Sequence, residues 1–141
     1  RHFAEVFSNQ DKIAEFYQGY IGVFRGIERR LAELLEKTKT VQAEISEKTT
    51  RYETDVANLN TEIAEFNNCA KTPNCFKSTA VFNRRRSELM AKKEAVNALY
   101  DEIDGLISDY NVLAREYNEN LLHGQALNMA INSNIIQINQ L

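Results

Sequence analysis

Two cysteines are the residues of this 141-residue chain whose type and spacing could support chemistry. Cys69 and Cys75 lie on either side of Pro73, the only proline in the sequence. Two such thiols could bind a metal ion, take part in redox exchange, or form a disulfide. A metal site would need further ligands, and only His2 and His123, both distant in sequence, could help. A redox motif would favour Cys-x-x-Cys spacing, which is not present here.

A disulfide between Cys69 and Cys75 is therefore the chemistry that the sequence favours. Within one continuous helix the two Cα atoms would lie too far apart, but a chain reversal at Pro73 can bring them within roughly 5.5 Å. Closing so short a loop stabilises the fold by only about 2 kcal/mol, yet it would fix the turn locally. Because disulfides persist in oxidising compartments, we expect a periplasmic, cell-surface or extracellular protein. A pair of reduced thiols is the alternative.

The sequence shows no recognised catalytic pattern. It has no Gly-rich phosphate loop, no His-Glu-x-x-His segment and no nucleophile elbow. Two histidines in the whole chain leave little for general-base chemistry. We therefore predict a protein that is not an enzyme and that has no cofactor or metal site.

The composition indicates an all-α fold. One proline and five glycines are too few for a sheet protein with many turns, and good helix formers fill the middle of the chain. A net charge of −3 gives no overall attraction to nucleic acid or to an anionic membrane. The sequence contains no apolar run of about 18 residues, so no transmembrane segment is predicted. The first residue is Arg1 and not Met, so an upstream signal peptide or anchor could have been removed.

Apolar residues recur at alternating spacings of four and three along both halves of the chain, the pattern of a coiled-coil heptad. The first seam extends from Val6 to Phe66, with a slip near Lys48 that is typical of a stutter. The second seam extends from Phe82 to Leu141. Two amphipathic helices of similar length are therefore expected.

Pro73 lies between the two seams and cannot continue a helix, which predicts a reversal there. A fold centred near Thr72 would place residues opposite one another when their numbers add to about 144, for example Tyr20 opposite Gly124. The resulting prediction is a single all-α domain, a long antiparallel two-helix coiled-coil hairpin with a disulfide-closed turn. Its expected bounds within residues 1–141 are arm one at about 9–68, the turn at 69–76 and arm two at about 77–139.

The alternative architecture is a bundle of three or four shorter helices. Ser8, the glycines from Gly19 to Gly26, and Gly124 could each mark a helix boundary.

The stretch from Lys71 to Lys93, which we call the apex, is strongly basic. It contains seven cations and a single acidic residue, Glu88. It could be a docking patch for an acidic partner, lipopolysaccharide or nucleic acid. The sequence favours the other interpretation, that carboxylates of the facing arm neutralise much of it, namely Glu53, Asp55, Glu62 and Glu65. The residues that could dock a partner are Lys71, Lys77, Arg84, Arg85 and Arg86.

The two chain ends, which we call the base, carry more apolar residues than a two-helix seam can bury. A second copy of the chain or another domain of the same chain would cover them, so a homo-oligomer or a domain contact is expected. An interfacial membrane helix normally carries a basic polar face, which is missing here. The residues expected at this contact are Phe3, Phe7, Phe16, Ile21, Val23, Leu122, Met129, Ile135 and Ile136.

Seam residues are repeatedly followed by asparagine, as in Tyr110-Asn111 and Tyr117-Asn118. Over about residues 96–132 the chain resembles Tyr-Asn-rich coiled-coil segments of uncharacterised bacterial exported proteins, some of which are attached to predicted metalloprotease domains. The resemblance implies export and a coiled coil, and it carries over no functional residue.

These observations predict a non-enzymatic structural or interaction module of an exported protein, a rigid coiled-coil spacer with an oligomerising or anchoring apolar base. Its partner would be a protein or a second copy, and no nucleic acid. The alternatives are a regulatory arm or pro-segment of a secreted hydrolase, and a periplasmic adaptor hairpin. The adaptor is disfavoured because lipoyl-like flanking strands are missing.

Overall fold

The fold consists of two α-helices that pack against each other as a hairpin. The structure is a computed structural model that describes the backbone of residues 2–139 and the side chains of residues 14, 15 and 18–133. Helix α1 extends over His2–Lys71 and helix α2 over Thr79–Asn139, with no strand in the described backbone. The predicted all-α helical hairpin is confirmed. The bundle alternative is wrong, because neither helix is interrupted at Ser8, at the glycines or at Gly124.

The chain divides into two compact units, each built from one segment of α1 and one of α2. The terminal unit comprises Arg1–Lys39 and Asn111–Leu141, and the turn unit comprises Thr40–Tyr110. No helix among the described residues is long and apolar enough to cross a membrane.

The core of the turn unit follows the predicted seams. Its buried apolar side chains come from both helices, and each is a seam residue: Leu59, Leu89, Leu99 and Ile103. Burying an aliphatic side chain of this size contributes about 1.5–3 kcal/mol relative to leaving it exposed. Tyr52 and Tyr100 add a tilted aromatic contact across the same pair of helices, with ring centroids 6.0 Å apart.

The described part of the terminal unit contains one fully buried side chain, that of the seam residue Leu34. Arg30 donates a hydrogen bond to Glu116 across the helix pair, with an N–O distance of 2.8 Å. Both side chains are about two-fifths exposed, so this ion pair contributes to orientation more than to stability.

The register of the hairpin differs from the predicted one. The predicted register has facing residue numbers that add to about 144. In the structure the numbers of Tyr52 and Tyr100 add to 152, and those of Ile27 and Gly124, which lie against each other, add to 151. The predicted contact between Gly124 and Tyr20 is not formed at that position. The reason is that α1 continues to Lys71 and α2 begins at Thr79, so the turn is centred about three residues later than expected.

Candidate functional site

The turn at the apex begins with hydrogen bonds that end α1. The backbone N–H of Thr72 donates to the carbonyl of Cys69 at 3.1 Å, and the Thr72 hydroxyl donates to the carbonyl of Asn68 at 2.8 Å. The carbonyl of Thr72 in turn accepts from the N–H of Cys75 at 3.2 Å, which closes a four-residue turn. These bonds satisfy carbonyl groups that would otherwise be unpaired at the end of a helix.

Two residues inside this turn suit its backbone. Pro73 has no N–H to leave unpaired, and its fixed φ favours the second position of a β-turn. Asn74 follows with a φ of 62°, in the left-handed region that Asn tolerates better than most residues with a side chain. The sequence therefore encodes the reversal in two adjacent residues.

Ser78 starts the second helix. Its hydroxyl oxygen accepts a hydrogen bond from the backbone N–H of Val81 at 3.2 Å, the arrangement of an N-cap. This cap was not among the features predicted from the sequence. The signal was present, because Ser78 lies just before the first residues of the second apolar seam.

Cys69 and Cys75 form the predicted disulfide, with their Cα atoms 5.2 Å apart. Cys69 lies in the last turn of α1, and Cys75 lies in the connecting turn. The bond therefore joins the end of α1 to the turn and encloses Pro73 and Asn74.

Three phenylalanines connect the two helices with the turn between them. Phe66 in α1, Phe76 in the turn and Phe82 in α2 are in mutual contact, with ring centroids 5.1 to 5.2 Å apart. Such aromatic pairs contribute about 0.5–1.5 kcal/mol beyond the area that they bury. The contact of Phe76 was not predicted from the sequence, because this residue lies outside both seams. An aromatic residue in an otherwise polar turn is nevertheless a signal of packing there. The disulfide and this cluster fix the turn from two sides.

A cleft of about 400 Å³ lies beside the aromatic cluster. Phe66 and Phe76 line it, together with Arg84 and Arg85. Two carboxylates line the same cleft, those of Glu65 and Glu88. Because both signs of charge are present, the cleft is not by itself an anion site.

Only part of the positive charge of the apex is paired. Lys92 bonds to Glu62 across the helices at 2.6 Å, and Arg85 lies 3.5 Å from Glu88 on its own helix. The hydrogen bond from Lys92, together with the charges of Lys92 and Arg85, holds the pKa of Glu62 below its ordinary value of 4.5, against the opposing effect of desolvation. The expected neutralisation by the facing arm is thus observed for Lys92.

The other carboxylates expected to neutralise the apex do not pair with it. Asp55 pairs with Arg51 on its own helix, and neither Glu53 nor Glu65 forms an ion pair with a described residue. Five cations of the apex consequently have no ion-pair partner among the described side chains, and all five are exposed: Lys71, Lys77, Arg84, Arg86 and Lys93.

At the base, four of the residues predicted to contact a partner have described side chains, and all four are exposed. Ile21 and Val23 are 45% and 57% exposed, and Leu122 and Met129 are 63% and 70% exposed. The remaining predicted contacts lie outside the described side chains: Phe3, Phe7, Phe16, Ile135 and Ile136.

Among the described residues, no three His, Cys, Asp or Glu side chains are grouped so that they could hold a metal ion. Comparison of the chain with protein-family models, with curated proteins and with solved structures finds no match.

Proposed function

We propose that this chain is a non-enzymatic structural and interaction module of an exported protein, whose terminal unit binds a second copy of the chain. The observation that carries the proposal is the exposure of Leu122 and Met129, at 63% and 70%. Exposed apolar side chains of this size are normal when isolated, but a repeated stripe marks a contact surface.

Leu122 and Met129 are seven residues apart, so they lie on the same face of α2 one heptad apart. Because the facing segment of α1 leaves both side chains exposed, this face is available to a further helix. A four-helix bundle formed by two hairpins would cover it.

The charge of the terminal unit is compatible with self-association. Its sequence contains eight Lys and Arg residues and eight Asp and Glu residues, so two copies would meet without net repulsion. A mixed-sign surface beside an apolar stripe is typical of helices that pair in coiled coils.

The test is the mass of the oxidised chain in solution, measured by light scattering after size exclusion. We expect a dimer for the natural sequence and a monomer for the double variant Leu122→Lys and Met129→Lys, with unchanged helical circular dichroism. The matched control is Met90→Lys with Ile107→Lys, which alters two exposed apolar residues of the turn unit and should remain dimeric. A monomeric natural chain, or a control that dissociates equally, would refute self-association through this face.

Export is supported by the disulfide, because a bond of this kind persists in an oxidising compartment. Thiol titration of protein purified from its native source, with alkylation at lysis, should find no free thiol at Cys69 or Cys75. Two titratable thiols would remove the support for export while leaving the dimer proposal in place.

A further inference from the structure

The charge of the turn unit is separated along its sequence. The apex, residues 71–93, carries seven cations and one carboxylate. The rest of the turn unit, residues 40–70 and 94–110, carries two cations and eleven carboxylates. An anionic partner would therefore be attracted to the apex and repelled by the remainder of the unit.

The unpaired cations of the apex are distributed around it. Lys71 is the last residue of α1, and Lys77 lies in the turn. Arg84 and Arg86 are two residues apart on α2, which places them about 200° apart around the helix axis at 3.6 residues per turn. Arg84 lines the cleft beside Phe66, whereas Arg86 lines a separate surface hollow with Met90.

This arrangement disfavours nucleic acid as the partner. Proteins that bind single strands expose aromatic side chains for base stacking, and those that follow a duplex present a cationic stripe or helix. Phe66, Phe76 and Phe82 pack against one another and are half-buried. The cations of the apex do not form one stripe, because Arg84 lies on a different face of α2 from Arg86 and Lys93, which are seven residues apart.

The arrangement also disfavours a single bound anion. The cleft that contains Arg84 and Arg85 also contains Glu65 and Glu88, so a small anion there would meet two carboxylates. A partner that suits cations spread from the end of α1 through the turn and along α2 is an extended surface whose charges can rearrange laterally. Anionic lipid headgroups have this property, and each Lys or Arg near such a surface strengthens binding about fivefold.

We infer that the apex docks on a membrane surface rich in anionic phospholipid headgroups. The contact is peripheral and electrostatic, with Lys71, Lys77, Arg84, Arg86 and Lys93 supplying the charge. The disulfide, the phenylalanine cluster and the Ser78 cap hold the turn in place, so little ordering is required on binding. The inference is independent of self-association through the terminal unit.

The test is co-sedimentation of the full oxidised chain with vesicles. We expect binding to vesicles made of equal parts phosphatidylglycerol and phosphatidylcholine, and none to phosphatidylcholine alone. Binding should weaken as sodium chloride is raised, because salt screens exposed charges. The triple variant Lys77→Gln, Arg84→Gln and Arg86→Gln should bind the anionic vesicles about a hundredfold more weakly.

The matched control removes three exposed cations of the terminal unit that form no ion pair with a described residue: Arg25→Gln, Arg29→Gln and Lys37→Gln. Both triple variants change the net charge equally, and circular dichroism establishes that both are folded. Retention of vesicle binding by the control and its loss by the apex variant would support docking through the apex.

Four outcomes of the vesicle experiments would overturn the inference. They are equal binding to neutral vesicles, undiminished binding by the apex variant, equal loss in the control variant, and release by phosphate at an ionic strength where chloride has no effect. The last would indicate a small-anion site. Tight binding to a DNA duplex under conditions where anionic vesicles are not bound would also overturn it, and would indicate that the partner of the apex is nucleic acid.

Discussion

The side chain of Ile27 lies against Gly124 of the facing helix, with its Cγ2 atom 3.5 Å from the position that a Cβ on this glycine would occupy. That distance is ordinary van der Waals contact, so an added methyl group would meet a neighbour without displacing it. The contact fixes which residues of the terminal unit face one another.

Gly124→Ala should therefore stabilise the chain by about 1 kcal/mol, mainly because glycine is a poor helix former. Gly22→Ala is the matched control, since a Cβ at Gly22 would have nothing within 4 Å and would gain helix propensity alone. Urea denaturation followed by circular dichroism measures both. Destabilisation by Gly124→Ala together with stabilisation by Gly22→Ala would show that Ile27 lies closer to Gly124 than this 3.5 Å distance.

Replacing both cysteines by serine should lower the free energy of unfolding by about 2 kcal/mol, because the unfolded chain regains the entropy of a short loop. The same loss should follow reduction of the natural chain, and the double variant should not respond to reductant. Chemical denaturation with and without reductant provides the measurement. If reduction leaves the denaturation midpoint unchanged, the bond between Cys69 and Cys75 does not constrain the turn.

Phe76→Ala should destabilise the hairpin by about 2 kcal/mol, because it removes the half-buried ring that contacts both Phe66 and Phe82. Phe76→Leu keeps most of the apolar volume and should cost clearly less. Thermal unfolding of the two variants compares them directly. Equal and negligible losses would mean that the cluster adds nothing to the stability of the apex.

Asn74→Ala should cost about 1 kcal/mol, because the residue has a φ of 62° and alanine is strained in that region. Asn74→Gly should be close to neutral, since glycine adopts this conformation without strain. Denaturant midpoints of the two variants distinguish backbone strain from loss of the side chain. An equal loss in both variants would assign the effect to the asparagine side chain.

Glu62→Gln should lower the melting temperature at neutral pH and have little effect in acid. The pKa of Glu62 is lowered in the folded chain, first by the hydrogen bond from Lys92. A carboxyl group with a lowered folded-state pKa contributes stability above its unfolded pKa and loses that contribution as the pH falls through the folded value. The difference in melting temperature should be constant above about pH 5 and shrink at lower pH.

Glu53→Gln is the control for this effect, since it removes an exposed carboxylate that forms no ion pair with a described residue. It should change the melting temperature less at neutral pH. If the melting temperatures of the Glu62 variant and the natural chain differ by the same amount at every pH, the ion pair with Lys92 does not contribute to stability.

The spacing of apolar residues was sufficient to predict the helices and their buried faces. Leu34, Leu59, Leu89, Leu99 and Ile103 are all seam positions, and all are buried. The reversal and its disulfide were also predictable, because Pro73 cannot continue a helix and two cysteines flank it. The helices, the reversal and the disulfide are each determined by residues within one continuous segment of the sequence.

The ion pairs of the apex were not predictable in the same way. Four facing carboxylates were expected to neutralise it, but only Glu62 forms an ion pair with an apex cation, because pairing depends on the register and on side-chain reach. The sequence shows that the apex is basic. Only the packed helices decide which cations remain available to a partner.

The register itself depended on the tertiary structure. Gly124 was expected opposite Tyr20 and lies against Ile27, a difference of seven residues, or one heptad. A heptad pattern looks the same after a shift of one full repeat, so apolar residues meet apolar residues in either register. The sequence therefore determined two amphipathic helices and a reversal, whereas the geometry of the turn from Thr72 to Ser78 decided which residues face each other.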